Sequence, residues 1–171
     1  MGRRGSEQVV MMRILFVCMG NICRSPIAEG VVRRMADLAG LSSRVDLDSA
    51  GTHAHHEGER PDPRASSAAL RHGYDLSGIR ARRISEHDFF RFDLILAMDR
   101  QNLASLRKRC PPEYRSKLRL FLEYAEGATQ QEITDPYYSS KEGFEQVVLL
   151  CEQAARGLLK RIAGAKRSDN G

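Results

Sequence analysis

The stretch Cys18-Met19-Gly20-Asn21-Ile22-Cys23-Arg24-Ser25-Pro26 follows the apolar run Ile14-Leu15-Phe16-Val17 and precedes a helical pattern. A run apolar on both faces suits a parallel strand covered on each side, and Ser25 with Pro26 supplies an N-cap and a residue suited to N1. The succession reads as strand, anion-cradling loop, helix. A helix N-terminus and a ring of loop N–H groups concentrate partial positive charge on the loop interior, so an anion binds there. The same field favours a thiolate at Cys18. Arg24 brings a planar fork of donors that can hold two oxygens of a phosphoryl group. A lone cysteine at a strand end is ordinarily core, and a lone arginine a surface charge. Here the strand, the Cys-x5-Arg-Ser string and the Ser-Pro pair coincide, and that coincidence points to chemistry.

The rest of the chain supplies the layers around this unit. At 171 residues, 42% hydrophobic and 29% charged, it fits one soluble domain with a real core. The first helix spans Ser25 to about Ala39, with Ile27, Val31, Val32, Met35 and Leu38 facing inward and Gly40 as its stop. Val45 and Leu47 alternate in a short strand ending at Ser49-Ala50-Gly51. Asp62-Pro63 opens a second helix with Ala65, Ala68, Ala69 and Leu70 inward, and Ser85 with Asp88 caps a short third one. Asp93–Met98 is another doubly apolar strand, Asp99 opens a helix bearing Leu103 and Leu106, and Leu118, Leu120 and Leu122 alternate as a fourth strand. A last helix over 141–163 carries the stripe Phe144, Val147, Val148, Cys151, Ala154, Leu158 and Ile162. Four strands alternating with helices predict an α/β fold: a doubly wound four-stranded parallel sheet with helices on both faces and right-handed crossovers. Cys18 then lies at a strand's carboxyl end, where ligands of such sheets bind. The expected boundaries are a flexible arm over 1–12, a domain over 13–163 and a frayed tail over 164–171.

Charge and composition exclude several alternatives. The net charge of +5 comes from basic pairs such as Arg33-Arg34 and Arg82-Arg83 scattered over the chain, and aromatics are only 6%, so no nucleic-acid surface is expected. No apolar run is long enough for a membrane span, and Arg13 interrupts the apolar stretch near the N-terminus, so a cytoplasmic protein is expected. Four cysteines without paired short spacings suit a reducing compartment. His53, His55 and His56 share one loop but lack a partner at zinc-site spacing, so no metal is expected there. Asp135-Pro136-Tyr137-Tyr138 alone is a turn. Phosphoryl transfer to a thiolate, however, needs an acid for the departing oxygen and a base for the attacking water, and Asp135 is the candidate for both.

The loop VCMGNICRSPIAE resembles that of the low-molecular-weight protein tyrosine phosphatases, and the resemblance runs from about Arg13 to Ile162. It implies a phosphatase of phosphotyrosine in proteins that works through a phosphocysteine intermediate, without metal or cofactor and expected to be monomeric. Cys18 would be the nucleophile, Met19, Gly20, Asn21, Ile22, Cys23, Arg24 and Ser25 the phosphate cradle, and Asp135 the general acid and base. Tyr137 and Tyr138 would line the aryl pocket, with His55 on the opposite wall of the cleft. On sequence alone His72 is best read as a charge complementing a helix C-terminus. The resemblance instead gives Ser49 and His72 to Asn21, a residue type that tolerates the left-handed bend expected inside the loop. A loop curled around one phosphate also brings its ends together, so Cys18 and Cys23 could form a reversible disulfide, and the family assigns its second loop cysteine a protective role. Two other functions remain to be weighed: a thioredoxin-coupled arsenate reductase on the same scaffold, which needs a relay of thiols, and a non-catalytic phosphate-binding module.

Overall fold

The structure is a computed structural model and describes residues 10–165, so most of the expected arm and tail lies outside the described residues. Strand β1 (Met12–Cys18) sits mid-sheet, and Ile14, Leu15, Phe16 and Val17 are wholly buried, as their unbroken apolar run requires. It pairs in parallel with β2 (Val45–Gly51) on one side and β3 (Leu94–Ala97) on the other, and β3 pairs in parallel with β4 (Leu118–Leu120). The strand order is β2-β1-β3-β4. The chain leaves β1 first toward β2 and later returns to its other flank at β3, which makes the carboxyl end of β1 a topological switch point.

Successive residues of β1 feed two core layers. Ile14, Phe16 and Cys18 join the layer built with helices α1 (Arg24–Leu38), α2 (Pro63–Arg71) and α5 (Lys141–Gly164). Leu15 and Val17 join the layer built with α3 (Glu86–Arg91) and α4 (Arg100–Arg109), against Phe89, Phe92, Leu103 and Leu106. The expected α5 stripe from Phe144 to Ile162 is buried throughout. Helix starts follow the side-chain chemistry. Asp62 accepts from the Arg64 N–H, and both Ser85 with Asp88 and Asp99 with Asn102 form capping boxes.

Three local expectations are corrected. Helix α1 begins at Arg24 with Cys23 at its cap, because the Ser25 hydroxyl is engaged by Cys18 and Asn21; Pro26 is tolerated in the first turn, where backbone N–H groups lack helical partners anyway. Leu70 is exposed, since the helical turn of about 100° per residue carries it away from buried Ala69, and Leu38 is exposed at the last position of α1. Leu122 falls in a 3-10 turn, Phe121–Tyr124, because β4 ends at Leu120. Among the described residues no helix is long and apolar enough to cross a membrane.

Candidate active site

The loop after β1 is shaped by what its carbonyls do. The carbonyls of Cys18, Met19 and Ile22 accept from the backbone N–H groups of Thr52, His53 and Asp62, at 2.9, 3.0 and 2.8 Å. In a planar trans peptide the C=O and the next N–H point in opposite directions. Turning those carbonyls toward the 52–62 segment therefore aims the N–H groups of Met19, Gly20 and Cys23 at the loop interior, which makes an anion-binding nest. Gly51 permits this approach: a Cβ there would stand 2.7 Å from the Met19 carbonyl oxygen and 3.1 Å from that of His53.

Asn21 holds the bend with φ of +57°, the left-handed conformation expected of it. Its Nδ2 donates to Ser25 Oγ at 2.8 Å and to Ser49 Oγ at 3.0 Å, and Ser49 Oγ in turn donates to Glu29 Oε1 at 2.8 Å. The Cys18 sulfur accepts from the Asn21 N–H at 3.3 Å and lies 3.0 Å from Ser25 Oγ. A chain of polar contacts thus runs from Glu29, buried in α1, to the sulfur. Burial raises the Glu29 carboxyl above its ordinary range, against the lowering effect of Arg33 and Ser49.

His72 is not part of this network, contrary to what the resemblance implied. It follows the last turn of α2, and its Nε2 pairs with Glu145 Oε2 of α5 at 2.6 Å. The remaining partner of Asn21 is the backbone N–H of Arg82, which donates to Oδ1 at 3.0 Å. That donor is available because the chain returns beside the end of β2, where the Gly51 N–H donates to the Arg82 carbonyl and Gly51 bridges Arg83.

Arg24 is buried, and its guanidinium is fixed from behind. One terminal nitrogen donates to Asp99 Oδ2 at 2.6 Å and to the Ile133 carbonyl at 2.9 Å; the other lies 3.6 Å from Asp135 Oδ2. Burial alone would pull this group down, yet the Cys18 sulfur, Asp99 and Asp135 outweigh it and hold the guanidinium above its ordinary range. Asp135 sits in an Asx turn, its Oδ1 accepting from the Tyr137 N–H at 3.1 Å.

A single cleft of about 230 Å³ is lined by Cys18, Met19, Gly20, Ile22, Cys23 and Arg24 at its base and by His55, His56, Asp135, Tyr137 and Tyr138 on its walls. Tyr137 and Tyr138 stand edge to face with centroids 5.0 Å apart. Opposite them His56, its Nδ1 2.8 Å from Glu59 Oε2, lies over Gly20, where a Cβ would meet the ring at 3.1 Å. Sequence reasoning missed His56, Gly51, Glu29, Asp99 and the Ile133 carbonyl. Asp99 alone had a legible signal, as a carboxylate just beyond the carboxyl end of the strand next to β1.

Of the four cysteines, Cys18 and Cys23 line the cleft. Burial and then the Asp62 carboxylate push the Cys23 thiol well above the ordinary cysteine range. Cys151 is wholly buried in α5 and raised by that burial, while Cys110 lies in the core layer on the opposite face of the sheet from Cys18. Neither of these two lines the cleft. Among the described residues no cluster of three or more His, Cys, Asp or Glu could hold a metal ion.

The low molecular weight phosphotyrosine protein phosphatase family model matches residues 13–168. The chain belongs to that family. Its relatives include the low molecular weight phosphotyrosine protein phosphatase of Schizosaccharomyces pombe, 42% identical over 153 residues that make up 89% of this chain and 97% of that one. Solved structures agree. A protein tyrosine phosphatase from Entamoeba histolytica superposes with a TM-score of 0.87 at 36% identity, covering 91% of this chain and 99% of that one. YfkJ from Bacillus subtilis superposes with a TM-score of 0.86 at 38% identity, covering 96% and 100%. The four-stranded parallel sheet with helices on both faces is therefore this family's architecture.

Proposed function

We propose that this phosphatase hydrolyses phosphotyrosine in proteins through a phosphocysteine at Cys18. The observation that carries the reading is the meeting, in one cleft, of a thiol, a buried guanidinium and a carboxylate beneath two tyrosines. The phosphoryl group lies in the nest, its equatorial oxygens held by the Met19, Gly20 and Cys23 N–H groups and by Arg24. The Cys18 sulfur attacks phosphorus in line, the P–O bond to tyrosine breaks, and Asp135 gives its proton to the departing phenolate. The same carboxylate then takes a proton from water, which attacks the thiophosphate; phosphate leaves and Cys18 is regenerated.

Tyr137 and Tyr138, exposed at the mouth of the cleft with His55 and His56, suit a flat aryl group, which phosphoserine lacks. Ile22 lines the base with an apolar side chain, which suits a phenyl ester better than the guanidinium of phosphoarginine. Four free cysteines suit a reducing, cytoplasmic setting. Steady-state kcat/KM on matched phosphotyrosine, phosphoserine and phosphoarginine peptides, with arsenate reduction assayed alongside, tests the reading. Phosphotyrosine is expected to be preferred by at least about 100-fold, the scale on which poorly placed substrates lose rate. Faster turnover of either other peptide, or thiol-dependent arsenate reduction exceeding phosphatase turnover, would overturn it.

A further inference from the structure

Asp135 lies on a loop outside any helix or strand, yet a general acid must stand within hydrogen-bond reach of the leaving oxygen. The loop is pinned on both sides of it. Ahead of Asp135, the Ile133 N–H donates to the Met98 carbonyl at 2.8 Å, and the Ile133 carbonyl accepts from Arg24. Behind it, one terminal nitrogen of Arg64 donates to the Tyr137 carbonyl at 2.9 Å, and the guanidinium lies 5.3 Å from the centroid of the Tyr137 ring and 4.8 Å from that of Phe144. The other face of the Arg64 fork is taken by Asp62, whose Oδ1 accepts from Nε at 3.1 Å and whose Oδ2 accepts from the second terminal nitrogen at 2.8 Å. That contact holds the Asp62 carboxyl below its ordinary range, so it is ionised and the pair intact at neutral pH. Asp62 itself donates its backbone N–H to the Ile22 carbonyl in the Cys18 loop.

We propose that Arg64 is a positioning residue that fixes Asp135 relative to Cys18. One side chain joins the segment bonded to the nucleophile's loop to the residue two beyond the acid, and a planar fork holds both partners in fixed directions, whereas an ammonium on a flexible stem cannot match the carboxylate bidentately while doing so. The aromatic contacts alone would leave the Tyr137 carbonyl without that donor. The proposal rests on Asp135 being the acid, and a displacement of the order of an ångström at such a group costs rate steeply.

The test uses Arg64→Met, which keeps an apolar stem against Tyr137 and Phe144 but removes the fork, and Arg64→Lys, each alone and combined with Asp135→Ala. The readout is kcat/KM on phenyl phosphate and p-nitrophenyl phosphate, with inhibition by inorganic phosphate to report the nest and thermal melting to report folding. Arg64→Met is expected to lose about tenfold on phenyl phosphate and less than about threefold on p-nitrophenyl phosphate, whose stable leaving group needs little acid. Arg64→Lys should fall between it and the parent, and phosphate inhibition should stay within about twofold, because the nest is untouched. In the Asp135→Ala background Arg64→Met should cost nothing further, the two acting as one unit. If Asp135→Ala shows the leaving-group dependence and Arg64→Met loses equally on both substrates, or the two losses multiply, Arg64 is structural and this proposal alone fails. If Asp135→Ala shows no leaving-group dependence, the acid assignment fails and takes the proposal with it.

Discussion

Cys23 lines the same cleft as Cys18, and burial and then the nearby Asp62 carboxylate disfavour its thiolate. A sulfenic acid at Cys18 would be captured by Cys23 only as a thiolate, so the sign of the pH effect is fixed: capture quickens as pH rises toward the raised value. Brief peroxide treatment should inactivate the enzyme with a Cys18–Cys23 crosslink that dithiothreitol reverses, and the crosslinked fraction trapped at a fixed time should increase from pH 7 to pH 9. Peptide mapping that finds no crosslink at either pH would make Cys23 an inert loop residue. At this scale the sequence was legible where residue type dictates backbone, as at Asn21, whose left-handed bend follows from its side chain. It was not legible where a neighbour arrives through the fold. Nothing in the sequence near His72 announces Glu145 on α5, and nothing near Asn21 announces the Arg82 N–H.

Among the elements, α5 packs against the turn after β4 through a glycine. A Cβ at Gly157 would stand 1.7 Å from the Tyr124 carbonyl oxygen, so the helix lies against the 3-10 turn after β4 with no room for a methyl group. Because the opposing atom is backbone, the helix or the turn must move. Gly157→Ala should destabilise by about 2 kcal/mol or more, against the small gain an alanine would bring to an open helix site. For a chain of this size that is roughly 4–8 °C in Tm by thermal melting. A change within 1 °C would place the turn farther from α5 than found here. The apolar stripes of α1 and α5 were readable because burial of one helix face imposes a period of 3.6, and β1 because burial of both faces imposes an unbroken apolar run. Gly157 was not, since a glycine inside a helical pattern gives no sign of what crosses it. The acid segment was readable only in company: Asp135-Pro136-Tyr137-Tyr138 is a turn by itself and gains meaning from a thiol and an arginine more than 100 residues earlier in the chain.

Across the whole molecule, parallel pairing of β1 between β2 and β3 brings three distant segments to one edge of the sheet. The Cys18 loop comes from the end of β1, Gly51 and the His55–His56 wall from the end of β2, and Asp99 from just past β3. The acid loop is then tied to that edge by Ile133 on Met98 and Arg24, and by Arg64 on Tyr137. The fold thus collects a nucleophile, a clamp and an acid where strand ends diverge, and in the proposed mechanism the Cys18 sulfur carries the phosphoryl group. The direct measurement is a rapid acid quench of the Asp135→Ala variant, which should form the intermediate from p-nitrophenyl phosphate and hydrolyse it slowly for want of a base. Mass spectrometry of the quenched protein should place one phosphoryl group on the Cys18 peptide, with none in Cys18→Ser even though that variant still binds phosphate. Turnover by a protein whose Cys18 peptide never carries phosphate, or turnover retained in Cys18→Ser, would contradict it.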